Sequence, residues 1–245
     1  MISDSLADNL IGAHQGHREG REFSMVSDEI ARASTYMLAM VLSLTMHEAA
    51  HALIARLQGD STAKDAGRLT LNPLAHIDPL GTIIIPLMGA LTSTLVIGWA
   101  KPVPVNTHNL HNQRWGPVLV ALAGPLTNLL LTLVLCIGLA LYQKHFVETV
   151  PPGSFFFPLL KLAFAMVSIN AALAFFNLIP VPPLDGSALV EAVLPRSARQ
   201  VWDSYVVPYG FMILLVVMLT SGLPWVGRMA GAYITLARDV AARLV

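Results

Sequence analysis

Residues 36–57 read YMLAMVLSLTMHEAAHALIARL. Only Glu48 and Arg56 carry charge in this run. As a helix rising about 1.5 Å per residue it reaches about 33 Å, enough to cross a hydrocarbon core of about 30 Å. Within it His47-Glu48-Ala49-Ala50-His51 forms an HExxH motif. Residues four apart share a helix face, so both imidazoles can reach one metal ion. The glutamate beside the first histidine can take a proton from a water activated there. For this composition the pattern is expected roughly 0.006 times by chance. A charged group at the bilayer centre costs at least about 2.5–3.5 kcal/mol on insertion scales. Three ionisable residues in one span therefore need a reason, and metal ligation with a base supplies it.

The rest of the chain fits a membrane setting. Of 245 residues, 55% are hydrophobic and 12% charged, against roughly 25% charged in soluble domains. No Asp, Glu, Lys or Arg occurs in 79–100, 115–143, 162–184 or 204–227. Each gap is about one bilayer crossing long. Fifteen basic and fifteen acidic residues cancel, so no net field recruits nucleic acid. Cys136 is the sole cysteine, which excludes an intramolecular disulfide framework and a cysteine-cluster metal site. The expectation is an all-α polytopic membrane protein.

Residues 1–33 form a polar tail without the apolar run of a signal peptide; His14 and His17 read as solvated. After the first span, Arg68–Asn72 alternates like a short strand stopped by Asn72-Pro73. Residues 81–99 are apolar but broken by Pro86, Gly89 and Gly98, and 101–106 is too proline-rich for a helix. Gly116–Tyr142, Pro158–Ile179 and Val206–Leu223 read as clean spans. Pro224–Val245 carries charges among apolar residues and suggests an interfacial amphipathic helix. The expected division is a tail at 1–33, a core at 34–223 and a membrane-associated helix at 224–245.

A catalytic zinc site needs a third protein ligand. The other histidines and the acids near membrane segments are candidates, and Asp185 stands out among them. It follows an uncharged span and the helix-ending Pro182-Pro183, and Gly186 lets the backbone turn tightly. Helix capping by Asp185 is the plainer alternative.

HEAAH in the first span with NLIPVPPLDG at 177–186 resembles the site-2 protease family of intramembrane zinc metalloproteases. GRLTLNPLAHIDPLGT (67–82), GWAKPVPVN (98–106) and AGPLTN (123–128) resemble its compact bacterial branch without a PDZ domain. The resemblance covers roughly residues 36–190. It implies one zinc ion held by His47, His51 and Asp185, with Glu48 as general base. It also implies that Asn177 hydrogen-bonds the substrate backbone or the developing oxyanion. Gly124, Pro125 and Asn128 read as a close-packed helix start, and Asn170 as packing. The expected fold is about five transmembrane helices with a re-entrant or short β element between the first and second conserved helices. The implied partners are a transmembrane protein substrate and the lipid bilayer; no nucleic acid is expected, and the oligomeric state is left open.

The ligands must meet at one depth, so the spans bearing His51 and Asp185 must finish on the same side. That requires one intervening segment not to cross, and the broken 81–99 is the weakest. With the metal side cytoplasmic, Arg56, Lys64, Arg68, Lys101, Arg114, Arg196 and Arg199 fall inside, as the positive-inside rule favours. Residues 68–72 and 101–106 suggest a strand edge to which an unwound substrate adds. Two other readings fit the ionisable residues: a metal-dependent transporter or channel, and an inactive relative that binds membrane proteins. Absence of internal repeats weighs against the first, and Glu48 against the second.

Overall fold

The first helix, α1 (Ile2–Leu57), is continuous. Its buried stripe is Ala39, Ser43, His47, His51 and Ala55, the four-residue spacing that keeps one helix face toward a neighbour. The small residues let neighbouring helices approach closely, as membrane interfaces favour. The structure, a computed structural model, describes residues 2–86, 88, 98–145, 154, 156–221 and 223–245. Side chains are described from Ser27 onward, apart from Arg196 and Ser221; those of His14 and His17 lie outside that set.

A short α2 (Thr62–Asp65) follows. Then come a 3₁₀ turn at Pro73–Ala75 and a π-helical turn at Pro79–Ile84. Two long helices, α3 (Gly116–His145) and α4 (Phe156–Asn177), pack with α1. After the proline bend come α5 (Ser187–Val193) and α6 (Arg196–Val201). A π-helical turn at Trp202–Val206 then leads into α7 (Val207–Ser221), and α8 (Pro224–Leu244) ends the chain.

Among the described residues four helical runs are long and apolar enough to cross a membrane: Ser27–Leu57, Gly116–His145, Phe156–Asn177 and Ser197–Thr220. The chain is a multi-pass membrane protein. This corrects the expectation of about five crossings. It also corrects the expected β element, because no strand occurs among the described residues. The physical reason is that the extended stretches share no backbone ladder and are tied instead through loops and side chains. Lys101 N–H donates to the His76 carbonyl and Asn106 N–H to Asp60. The Arg68 guanidinium bonds the Lys101 carbonyl, while His76 Nε2 meets the Thr70 carbonyl at 2.9 Å. Pro102 and Pro104 bring no amide donor, so no ladder can run along that edge of the segment.

The ends of the 81–99 run lie side by side. Trp99 N–H donates to the Gly81 carbonyl, and Thr82 Oγ1 donates to the Trp99 carbonyl at 2.7 Å. A side chain at Gly81 would overlap the Trp99 ring. Residues 87 and 89–97 lie outside the described residues. Asp78 starts this run by accepting the Leu80 and Gly81 amides.

Helix direction follows from contacts at the ends. His111 N–H donates to the Gln58 carbonyl, and Gln58 Nε2 to the Gly116 carbonyl. The end of α1 therefore meets the start of α3, and the two run antiparallel. At the start of α8, Val226 packs with Ile179 and Leu184 beyond the end of α4. At the finish of α8, the Val245 carbonyl accepts from Lys144 near the end of α3. Between these points Ala237 and Ala241 pack with Cys136 and Val167, and the Tyr233 hydroxyl donates to the Leu129 carbonyl at 2.9 Å. Thus α8 lies lengthwise along α3 and α4. One end of the bundle gathers the α1 terminus, the α3 start and the α4 terminus.

Candidate metal centre

His47 and His51 rise from consecutive turns of α1. Their ring centroids are 4.6 Å apart and the rings stand at 86°. Ligand atoms of His47, Glu48 and His51 all fall within 4.8 Å of one another. The bend after α4 brings in a fourth group. Asp185 Oδ2 lies 3.2 Å from His47 Nε2 and 3.5 Å from His51 Nε2. Asp185 is thus drawn to the histidines, beyond any capping of α5.

The bend is built by short-range bonds. Gly186 N–H donates to the Asn177 carbonyl at 2.7 Å, and Leu184 N–H to the Val181 carbonyl. Gly186 has φ −58°, which any residue adopts. The need for glycine is one of space, which corrects the expected tight turn: a Cβ there would stand 2.3 Å from the Leu178 carbonyl oxygen.

The donor set fits a metal ion. His51 Nδ1 sits 2.7 Å from the Val120 carbonyl. That acceptor fixes the ring hydrogen on Nδ1, so Nε2 presents a lone pair. Asp185 Oδ2 presents another and is buried without a hydrogen bond. Two lone pairs facing each other repel unless a cation lies between them. Two ligands each about 2.1 Å from a tetrahedral zinc stand about 3.4 Å apart, which the observed 3.2 and 3.5 Å bracket. Space for an ion is kept by Gly124, where a Cβ would fall 2.5 Å from His47 Cε1 and 2.6 Å from each Nε2.

Glu48 points to the loop side. Its Oε2 accepts the Val103 N–H at 3.0 Å. Val103 stands between Pro102 and Pro104, so this is the one amide donor across those three residues. The same segment is anchored three residues on by Asp60, which is fully buried. Asp60 accepts the Asn106 amide at 2.7 Å, Asn109 Nδ2 at 3.0 Å, and the Thr62 hydroxyl and amide. Burial pushes the Asp60 pKa upward, but these hydrogen bonds outweigh it and bring it down to about 2.

Asn177, at the end of α4, donates its side-chain amide to the Leu173 carbonyl at 3.0 Å. Asn170 is fully buried and donates to Ser43 Oγ at 2.8 Å, tying α4 to α1. Gly124, Pro125 and Asn128 lie within α3, whose first residue is Gly116, so they are a helix interior and not a helix start. Sequence reading missed the Val120 carbonyl, the Val103 amide and the contact of Gly124 with the histidines. Backbone groups leave no residue-type signal, but the lone amide between two prolines and a glycine in an uncharged span were visible pointers.

Similar proteins bear on this geometry. The profile described as Peptidase family M50 matches residues 35–221. A Bacillus subtilis protein named as a zinc metalloprotease, YwhC, is 39% identical over 184 residues, 75% of this chain and 80% of that protein. The Mycolicibacterium smegmatis protein named as the zinc metalloprotease Rip2 is 34% identical over 185 residues, 75% of this chain and 66% of that protein. The Rip2 protein of Mycobacterium tuberculosis strain H37Rv is 29% identical over 198 residues, covering 79% and 71%. No solved structure matches the chain.

Proposed function

The chain belongs to peptidase family M50, and from that premise we propose how its residues divide the work of a membrane-embedded zinc peptidase. His47, His51 and Asp185 hold one zinc ion, and Glu48 is the general base. The observation that carries this reading is the approach of Asp185 Oδ2 to both histidine Nε2 atoms. Zinc bound there supplies Lewis acidity, which lowers the pKa of water toward about 7 in favourable sites. Glu48 accepts the proton from the attacking water and returns it to the leaving amine. The Val103 amide holds the carboxylate in place between these transfers. Asn177 turns its side-chain amide from Leu173 to the substrate, where a positioned donor is typically worth about 3–4 kcal/mol in the barrier.

The substrate class is membrane-anchored regulatory proteins, cut within or beside their transmembrane segments. A centre lined by α1, α3 and the bend after α4, in a bundle of apolar helices, supports that class. The location is the bacterial cytoplasmic membrane with the metal side cytoplasmic, supported by the arginines and lysines at that end of the bundle. The same proposal divides the chain into an N-terminal segment at 1–33, the protease core at 34–223 and a membrane-associated helix at 224–245.

The test is metal analysis beside a cleavage assay on purified protein. Wild type should hold one zinc per chain, and Asp185→Ala should fall well below that, keeping only the weak affinity of the two histidines. Glu48→Gln should keep zinc while cleavage falls by about 10²–10⁴. Full zinc in Asp185→Ala removes the third ligand, and retained cleavage in Glu48→Gln removes the base.

A further inference from the structure

One layer of the bundle interior holds polar atoms without partners. His47 Nδ1, Asn170 Oδ1, Asn128 Nδ2 and Asn128 Oδ1 are all buried and lack hydrogen bonds. Asn128 and Asn170 are fully buried. Such groups are costly where no water reaches them, and a buried amide with both ends unpaired does nothing as helix glue.

The helix register brings them together. His51 meets Val120 through a hydrogen bond, and His47 abuts Gly124. With α1 and α3 antiparallel, the next turn sets Ser43 level with Asn128. Asn170 joins that layer through its bond to Ser43 Oγ. Side chains on a helix lean toward its N-terminus, so the His47 ring leans from its own turn toward the Ser43–Asn128 layer.

The two histidines differ in one respect. A metal-ligating histidine almost always donates its other ring N–H to an acceptor, which fixes the ring. His51 does so to Val120, whereas His47 Nδ1 is buried without a hydrogen bond. We propose that Asn128 is the positioning residue for His47. Its Oδ1 accepts the His47 Nδ1–H, directly or through one buried water, as the Val120 carbonyl does for His51. The assignment uses every orphan: Asn128 Nδ2 then donates to Asn170 Oδ1, and Asn170 Nδ2 already donates to Ser43. This inference rests on His47 being a zinc ligand.

The experiment is zinc affinity of the full-length chain in detergent, by chelator competition, with the visible spectrum of the cobalt-substituted protein as a second readout. Asn128→Leu keeps the side-chain heavy-atom count and branch point and suits an apolar interior, and the smaller Asn128→Val controls for its added bulk, so a merely packing asparagine would tolerate one of the two. The expected result is zinc binding about 10–100-fold weaker and a shifted cobalt spectrum. Asn128→Asp restores an acceptor and should bind within about threefold of wild type. Asn128→Val is read in the same way should the leucine variant not stay folded. Wild-type affinity in the apolar variants, or equal weakening by Leu and Asp, overturns the proposal. His47→Ala separates the two levels. If it loses zinc while Asn128→Leu keeps it, only the positioning role fails; if it binds zinc like wild type, the ligand assignment fails as well.

Discussion

The centre has two halves of different construction. The histidine half sits on one continuous helix, where the four-residue spacing alone puts both rings on a face. The carboxylate half sits on a proline bend whose position depends on what lies behind it. Behind the histidines are Val120 and Gly124 of α3. Behind the bend are Leu214 of α7 and Leu223 and Val226 at the start of α8, packed on Ile179 and Leu184. Each half also has a glycine at its back. Gly124 touches the rings, whereas Gly210 of α7 faces the Pro182 carbonyl, where a Cβ would stand 2.3 Å from the oxygen. A pair of side chains on one helix is set locally, and a side chain on a bend is set by remote packing.

Methyl groups at the two glycines measure that difference. Gly124→Ala should have the larger effect, because the added carbon falls on ligand atoms. Overpacking of this kind costs typically about 1–3 kcal/mol. Zinc affinity should drop about 10–100-fold, with cleavage falling in parallel. Unchanged affinity in a chelator titration would mean that α3 does not border the ion.

This contrast also explains what could be read from the residues. The HExxH pair, the zinc chemistry and the membrane setting were legible because helix periodicity and charge gaps are local signals. Asp185 was legible as a carboxylate at a rigid bend. The number of crossings and the β element were not. Arg68–Asn72 alternates like a strand, but it is held through the Arg68 and His76 side chains and not by a backbone ladder, which alternation does not specify. Pro102 and Pro104 argued against a helix at 101–106, and the same missing amides argue against a ladder. The contact between Val103 and Glu48 joins residues 55 apart in sequence, beyond any spacing rule.

Gly210→Ala should act more weakly and through one half alone. The added methyl pushes the Pro182 backbone, and Asp185 follows three residues later. A bend has room to retreat where a helix does not, so zinc affinity should fall about three- to tenfold. A double-mutant cycle sharpens the point. In an Asp185→Ala background, Gly210→Ala should leave the residual affinity of the two histidines unchanged. A further loss there would mean that α7 also steers the histidine half.

The smallest effect belongs to the loop that serves neither ligand half. Asp60 holds Asn106, and the same extended segment presents Val103 to Glu48. Asp60→Asn keeps the shape but removes the charge that four donor groups share, at a cost of about 1–3 kcal/mol of stability. Zinc affinity should stay constant while cleavage falls by less than the glycine variants cause. The pH dependence has a defined sign. Because the folded-state pKa is depressed to about 2, the stabilisation is fully present above the ordinary carboxylate value of about 4. It is lost as pH falls through about 2. The melting-temperature gap between wild type and Asp60→Asn should therefore be constant above about pH 5 and close on acidification toward pH 2. A gap that persists at pH 2 would show that the asparagine acts by disturbing the loop's shape and not by removing a charge. The segment facing Glu48 would then be held by packing, like the bend, and not by a clasp.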